Sequence, residues 1–188
     1  MKSKNNIIYV GGSGGNFLVW CTVNALKYDT IPNPADNHNE YFVSRYPHYI
    51  QCDHPEDLVN REETLSQREG FNNFIITIPD LETAQFVKLL LTAKKERTGE
   101  EASQRIIQNA AKHFIIWSKI LLTVDRLKPI ELDYKKFFIN QEPAYIKKQY
   151  TNVLGFNEQQ YQIFARELSD YYQRNIKLLP GDMQHGMA

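Results

Sequence analysis

The chain has 188 residues, of which 42% are hydrophobic and 23% are charged, and its 22 basic and 22 acidic side chains give a formal net charge of zero. These proportions are those of an ordinary globular protein, and a chain of this length suits one domain with a full core. A neutral chain has no overall field that would draw it to nucleic acid or to an anionic membrane. The composition therefore predicts neither of these as a partner.

Cysteine content and hydropathy indicate a soluble protein of a reducing compartment. The two cysteines, Cys21 and Cys52, lie in apolar segments, which favours buried thiols over a disulfide. The longest mainly apolar stretch, HFIIWSKILLTV, is interrupted by Lys119 and is too short to span a bilayer. The first residues, MKSKNN, lead directly into a short apolar run without a signal-peptide core. We therefore expect a cytoplasmic protein.

Three strands are predicted in the first half of the chain, over 6–10, 47–52 and 72–78. A segment that is apolar on nearly every side, 16–27, predicts a helix buried between layers. Asp80 is a candidate N-cap for a second helix, which we place over 81–96.

The connections in this half are polar. Residues 28–47 contain three prolines and many polar side chains, and they predict a long loop of the kind that often carries function. Residues 61–70 are polar as well and predict a surface segment.

A long amphipathic helix is predicted between residues 98 and 127. Thr98 and Glu101 have the spacing of a capping box, and apolar residues recur at helical intervals after them. A last short strand is predicted over 128–134.

Two further helices are predicted before the end of the chain. The first lies between Pro143 and Gly155, and the second begins at Asn157 and runs to about residue 179. Residues 180–188 form a tail that we expect to be mobile. Short strands that alternate with helices predict a single α/β domain, 1–179, with a mainly parallel sheet covered by helices.

The segment IIYVGGSGGNFLVW, 7–20, predicts an anion site. A strand, a glycine loop and a buried helix follow one another, so unpaired amides at the helix N terminus would face the loop, and the helix dipole would favour negative charge. Glycines let successive amides converge on one oxyanion. A tight strand-to-helix turn is the alternative explanation of the glycines. The candidate phosphate-binding residues are Gly12, Ser13, Gly14, Gly15, Asn16 and Phe17.

The loop does not fit the two most familiar nucleotide motifs. A nucleotide triphosphatase loop carries Lys and Ser or Thr where this chain has Asn16, Phe17 and Leu18. A dinucleotide fingerprint fits the first two glycines but meets Phe17 at the third, and the nearest strand-end acid, Asp53, lies far along the chain.

GGSGGNFL resembles the phosphosulfate loop of the sulfotransferase family, which follows the pattern [KR]-S-G-T-T-[WF]-L. Ser13 and Gly14 match the Ser-Gly pair, and Phe17 and Leu18 match the aromatic and leucine positions. The segments QCDHP, FIITIPDLETAQFVKLLL and IELDYKKFFIN resemble later parts of the family pattern in order and spacing. The resemblance implies a P-loop NTPase-like three-layer fold and sulfuryl transfer from 3′-phosphoadenosine 5′-phosphosulfate to a hydroxyl group of a small-molecule or carbohydrate acceptor.

The chain departs from that pattern at three positions. Gly12 stands in place of a basic residue, Thr77 in place of an arginine, and Gln85 in place of a serine that binds the 3′-phosphate. These departures motivate a second hypothesis, a nucleotide-binding module of the same fold without transferase activity. A dinucleotide-dependent oxidoreductase is a third.

His54 is the candidate catalytic base, because it follows the carboxyl end of a predicted strand and resembles a histidine that some sulfotransferases carry there. Asp53 is a candidate partner that would orient it. A solvated loop histidine is the alternative explanation. His38, His48, Cys52 and His54 lack the close pairs of a zinc site, so no metal is predicted.

Overall fold

The structure is a computed structural model of the chain. It describes residues 4–10, 13–26, 50–98, 115–117 and 119–179. The predicted loop 28–47 and the tail 180–188 lie outside these ranges.

Within the described residues the chain contains four strands in one sheet. They are β1 (Asn5–Ile8), β2 (Ile50–Asp53), β3 (Asn72–Thr77) and β4 (Ile130–Asp133). All neighbouring strands are parallel, and their order across the sheet is β2-β1-β3-β4.

Helices connect and follow the strands in the described part of the chain. Those with defined bounds are α1 (Gly15–Ala25), α2 (Pro55–Asn60), α3 (Glu62–Gln67), α4 (Leu81–Thr98), α5 (Pro143–Ile146), α6 (Asn152–Leu154) and α7 (Glu158–Ile176). Residues 115–117 and 119–120 are helical as well. Two 3₁₀ turns precede β4, and two π-helical turns flank α5; these are Leu121–Thr123, Asp125–Leu127, Lys135–Ile139 and Lys147–Thr151.

Alternation along the strands sends apolar side chains to both faces of the sheet. Ile7, Phe74 and Ile76 belong to the main core, which includes residues of α1, α4 and α7, whereas Ile8 and Ile75 point the other way into a smaller cluster. That smaller cluster is completed by Leu58, Leu65, Leu121 and Leu127. The protein is therefore a three-layer α/β domain with a buried parallel sheet.

The strand order places a topological switch in the middle of the sheet. The chain passes from β1 to β2 on one side and then returns to β3 on the other side of β1. In open α/β sheets ligands bind beyond the carboxyl ends of the strands at such a reversal. In this chain the residues that follow β1 (after Ile8) and β3 (after Thr77) lie at that position, and they include the glycine loop. We call this end of the sheet the carboxyl edge.

Asparagine pairs hold the register of β1 against β3 at the opposite end of the sheet. The Asn6 side-chain amide donates to Asn73 Oδ1 at 3.2 Å, and the Asn72 amide donates to Asn5 Oδ1 at 2.9 Å. Asn73 in turn donates to the Leu127 carbonyl at 2.9 Å. Because Asn6 and Asn73 are fully buried, a slip of one residue would leave these polar groups without partners, which costs free energy.

Most predicted elements are confirmed, with changes at their boundaries. The four strands overlap the predicted segments, but β1 begins one residue earlier and ends two residues earlier than predicted, and β2 ends one residue later, at Asp53. The predicted N-cap is confirmed, since Asp80 Oδ1 accepts from the Thr83 amide at 2.7 Å. The stop at Gly155 is confirmed by its left-handed φ of 70°. The predicted start of the last helix at Asn157 is confirmed as well, and there Asn157 and Gln160 form a capping box.

Residues 61–70 are mostly exposed, as predicted, although α3 occupies much of the segment and buries Leu65 against the sheet. The prediction for the helix over 98–127 is wrong at both ends. The helix predicted to begin at Thr98 does not begin there, since Thr98 still belongs to α4. Residues 115–117, 119 and 120 are helical, as predicted. The helix ends earlier than predicted, because 3₁₀ turns over 121–127 carry Leu121 and Leu127 into one cluster. Residues 99–114 lie outside the described part.

We expect Asp80→Ala to lower the free energy of unfolding at pH 7 by about 1 kcal/mol, because the N-cap of α4 is lost. The Thr83 amide, by donating to Asp80, holds the pKa of that carboxyl below its usual range. A depressed pKa stabilises the fold above the unfolded value of about 3.9, and this stabilisation is lost as the pH falls through the folded value. The difference between wild type and variant should therefore shrink in acid, which urea unfolding at several pH values measures.

Asp80→Asn is the matched control. Its amide oxygen still caps the helix but does not titrate, so it should retain most of the stability at pH 7. Equal losses in both variants, or a loss in Asp80→Ala that is unchanged in acid, would contradict this account of the cap.

Candidate functional site

The glycine loop begins with a turn closed by Ser13. The Ser13 amide donates to the Val10 carbonyl at 3.1 Å, and its hydroxyl donates to the same oxygen at 2.8 Å. Ser13 is fully buried. Its hydroxyl proton is therefore used within the turn, and the predicted role as a donor to a ligand would require a rearrangement. Gly11 and Gly12 lie outside the described residues.

Gly14 is the N-cap of α1 and has a left-handed φ of 81°. A Cβ here would lie 3.2 Å from both a ring carbon of Phe138 and the Tyr171 hydroxyl. Backbone conformation and close packing therefore both require glycine. Among the described residues no side chain caps α1, and the first turn of this helix carries no acidic residue. The positive end of this helix dipole is therefore left without a neutralising group from the helix itself.

Tyr9 covers the first residue of α1. A Cβ at Gly15 would overlap the Tyr9 ring, so only glycine fits beneath it. The Tyr9 hydroxyl donates to Asn16 Oδ1, which ties the end of β1 to the first turn of α1. Tyr9 is 5% exposed. The side chain therefore forms one wall of the loop.

Phe17, by contrast, is anchored in the core. Its ring stacks on Tyr171 with centroids 3.9 Å apart and contacts Trp20 with centroids 5.8 Å apart. It is buried. Its predicted place in the phosphate site therefore rests on its backbone amide, and its side chain holds α1 against α7.

His54 completes the hydrogen bonding between β1 and β2. In a parallel ladder a residue bonds to the two residues that flank its partner, and the Tyr9 amide donates to the Asp53 carbonyl at 3.2 Å. The next donor would be residue 55, but that is Pro55, which has no N–H. The His54 ring supplies the missing donor, with Nδ1 3.0 Å from the Tyr9 carbonyl oxygen.

This contact sets the tautomer of the His54 ring. A carbonyl oxygen can only accept, so Nδ1 carries the proton and Nε2 of the neutral ring keeps its lone pair. The centroids of the His54 and Tyr9 rings lie 4.9 Å apart. His54 is exposed, and the structure places it beside the glycine loop, with Tyr9 between them.

Asp53 pairs with Arg68 rather than with His54. Arg68 donates from Nε at 2.7 Å and from Nη2 at 3.1 Å to the two carboxylate oxygens. Both side chains are largely buried, at 14% and 10% exposure.

Burial raises the pKa of the neighbouring Cys52 thiol to about 12, and the Asp53 carboxylate adds to the shift. Cys52 is therefore a neutral thiol, and Asp53 is not free to hold a ribose as a dinucleotide site requires.

Two further basic side chains of the described residues, Lys119 and Lys135, also have partners. Lys119 donates to the Pro79 carbonyl at 3.0 Å, and Lys135 lies 3.8 Å from Asp80 and 3.5 Å from Glu82.

The two family positions on β3 and α4 carry no charge. Thr77 is fully buried and donates to Glu131 on β4 at 2.8 Å. Gln85 is exposed on α4. Neither side chain supplies the positive charge or the hydroxyl that the family pattern has there.

The part of the chain that the structure describes contains no group of three or more His, Cys, Asp or Glu side chains that could hold a metal ion. None of its helices is long and apolar enough to cross a bilayer. His38 and His48 lie outside the described ranges.

Comparison with protein families, with curated proteins and with solved structures found no match for the chain.

Sequence reasoning missed two residues of this edge, Tyr9 and Arg68. Tyr9 had the pattern of an ordinary strand residue, and its contact with Gly15 depends on how α1 leaves the sheet. Arg68 lay in a segment interpreted as polar surface. The sequence carried one signal for the contact between Tyr9 and His54. Pro55 cannot donate to the ladder, and the preceding His54 is the nearest side chain that can.

Gly15→Ala should destabilise the protein by about 1–3 kcal/mol, because the new methyl group displaces the Tyr9 ring. In a Tyr9→Ala background the same change should cost much less, or even stabilise by up to about 1 kcal/mol through helix propensity. A double-mutant cycle based on chemical unfolding measures this coupling.

Gly14→Ala is the control for that cycle. Its neighbours are Phe138 and Tyr171 and its φ is positive, so its cost should persist when Tyr9 is removed. If the Gly15→Ala cost is the same in both backgrounds, the Tyr9 ring does not determine the glycine.

Proposed function

We propose that the carboxyl edge binds the phosphosulfate group of 3′-phosphoadenosine 5′-phosphosulfate and that the protein is a sulfotransferase-like enzyme on a P-loop-type fold. The observation that carries the proposal is the N terminus of α1. This helix is buried, begins at a left-handed glycine, has no acid in its first turn and has no side-chain cap from any residue that the structure describes. It also begins at the switch point of a parallel sheet, where backbone amides and a helix dipole favour an anion.

The chemistry proposed for the site is transfer of a sulfuryl group to a hydroxyl. His54 Nε2 would take the proton of the acceptor hydroxyl while the hydroxyl oxygen forms its bond to sulfur. The bond between sulfur and the 5′-phosphate oxygen would break, and 3′,5′-adenosine bisphosphate would leave with the bonding electrons. The amides of Gly15, Asn16 and Phe17 are the groups proposed to stabilise the charge on the leaving phosphate.

A nucleotide-binding module without transferase activity is the second candidate. The pairing of the basic side chains favours it, because Arg68 is bound to Asp53 and Lys135 lies between Asp80 and Glu82. A transferase needs positive charge at the leaving phosphate, whereas simple binding can rely on backbone amides.

Asn16→Asp tests the site without removing its architecture. The carboxylate still accepts from the Tyr9 hydroxyl, and its charge in the first turn should raise the free energy of unfolding by about 0.3–1 kcal/mol. The same charge repels an anion, by about 3 kcal/mol for unit charges 5 Å apart at an effective dielectric constant of 20. We therefore expect binding of 3′,5′-adenosine bisphosphate to weaken by at least about tenfold.

Thermal shift and calorimetry measure this effect, and ATP plus magnesium and NAD are tested separately as comparison ligands. A ligand at one hundred times its dissociation constant stabilises a protein by about 2.7 kcal/mol. Asn157→Asp makes the same chemical change at the N-cap of α7 and should leave binding unchanged. Selective stabilisation by the bisphosphate supports the sulfotransferase proposal, equal stabilisation by ATP favours the binding module, and no shift with any nucleotide contradicts both.

A further inference from the structure

We propose that Tyr9 is a positioning residue that couples the glycine loop to His54, so that occupation of the loop changes the environment of the His54 ring. This inference rests on the proposed function, because it concerns the same loop and the same candidate base. It adds a residue to the site that neither the loop motif nor the histidine indicated.

The first step is the backbone of Tyr9. Its amide donates to the Asp53 carbonyl and its carbonyl accepts from His54 Nδ1. Because Pro55 cannot donate, the histidine ring is the group that satisfies this buried carbonyl. The ring is therefore fixed with Nε2 unprotonated in the neutral form, which is the form that a general base needs.

The second step is the Tyr9 ring. One side of it contacts the His54 ring, with centroids 4.9 Å apart, and another part covers the Gly15 backbone. The hydroxyl donates to the Asn16 side chain. A phosphate bound by the amides of Gly15 and Asn16 would lie next to this ring. Any shift of the first turn of α1 is therefore transmitted through Tyr9 to His54.

The side chain contributes two separable parts to this link. The hydroxyl connects Tyr9 to the loop, whereas the ring connects it to His54. Tyr9→Phe removes the first part and keeps the second, and Tyr9→Leu removes both. The backbone carbonyl remains in each variant, so any change reports the side chain.

The test is nuclear magnetic resonance of the full chain with isotope-labelled histidine, in which ring nitrogen shifts report the tautomer. His54→Gln identifies the His54 signals. In the ligand-free wild type we expect Nδ1 to be protonated and Nε2 unprotonated in the neutral ring. Tyr9→Phe and Tyr9→Leu should both keep this tautomer, because the backbone carbonyl that sets it remains. In Tyr9→Leu the His54 ring signals should nevertheless move, because the contact with the Tyr9 ring is lost. Tyr145→Phe is the control, because its hydroxyl bonds to the backbone of Asp133 and Glu131 instead, and it should behave as wild type.

The second measurement adds 3′,5′-adenosine bisphosphate. In wild type the His54 ring signals should move on binding, and most of that movement should be lost in Tyr9→Phe. Equal movement in both proteins, or an Nε2-protonated ring in the ligand-free wild type, would overturn the inference. If backbone amide signals show that the bisphosphate does not bind at all, the proposed function fails, while the ligand-free tautomers still decide whether Tyr9 positions His54.

Discussion

The packing of the Tyr9 ring on the backbone of Gly15 is the constraint on which the rest of the carboxyl edge depends. It requires the chain to turn sharply after β1 and to begin α1 directly against the end of the sheet. The hydroxyl bond to Asn16 holds the first turn of the helix in that place. The backbone carbonyl of Tyr9 accepts a hydrogen bond from His54 Nδ1. One buried tyrosine thus sets the positions of both the loop and the candidate base.

Packing and anion binding are compatible explanations of the glycine loop. Tyr9, Phe138 and Tyr171 account for the absence of side chains at Gly14 and Gly15 without any ligand. A missing side-chain cap does not by itself distinguish α1, since α2, α3, α5 and α6 lack one as well. What distinguishes α1 from these short helices is that it is longer and buried over most of its length. An uncapped helix buried in the core lacks a group that neutralises its positive end, and an anion at the switch point would supply one. Glycine at positions 14 and 15 is therefore compatible both with the aromatic side chains that pack on the loop and with an anion at the N terminus of α1.

The sequence predicted the framework of the fold better than the details of the site. Buried strands such as NNFIIT and the caps at Asp80 and Asn157 carry local signals, because alternation and capping depend on near neighbours in the chain. The short helices α2 and α3 were missed because their stability comes from burying Leu58 and Leu65 against the sheet. The Asp53–Arg68 pair joins residues that no motif connects. His54 was selected as a candidate base, but its bond to Tyr9 follows only from the register of β1 against β2 and from Pro55.

The most direct measurement of the central claim is a titration of the uniformly labelled protein with 3′,5′-adenosine bisphosphate, followed through the backbone amide signals. If the N terminus of α1 is the anion site, the amides of Gly14, Gly15, Asn16 and Phe17 should show the largest shifts, because they would donate directly to the phosphate. Shifts concentrated elsewhere on the protein, or no shifts at ligand concentrations that saturate known nucleotide sites, would show that the loop serves packing alone.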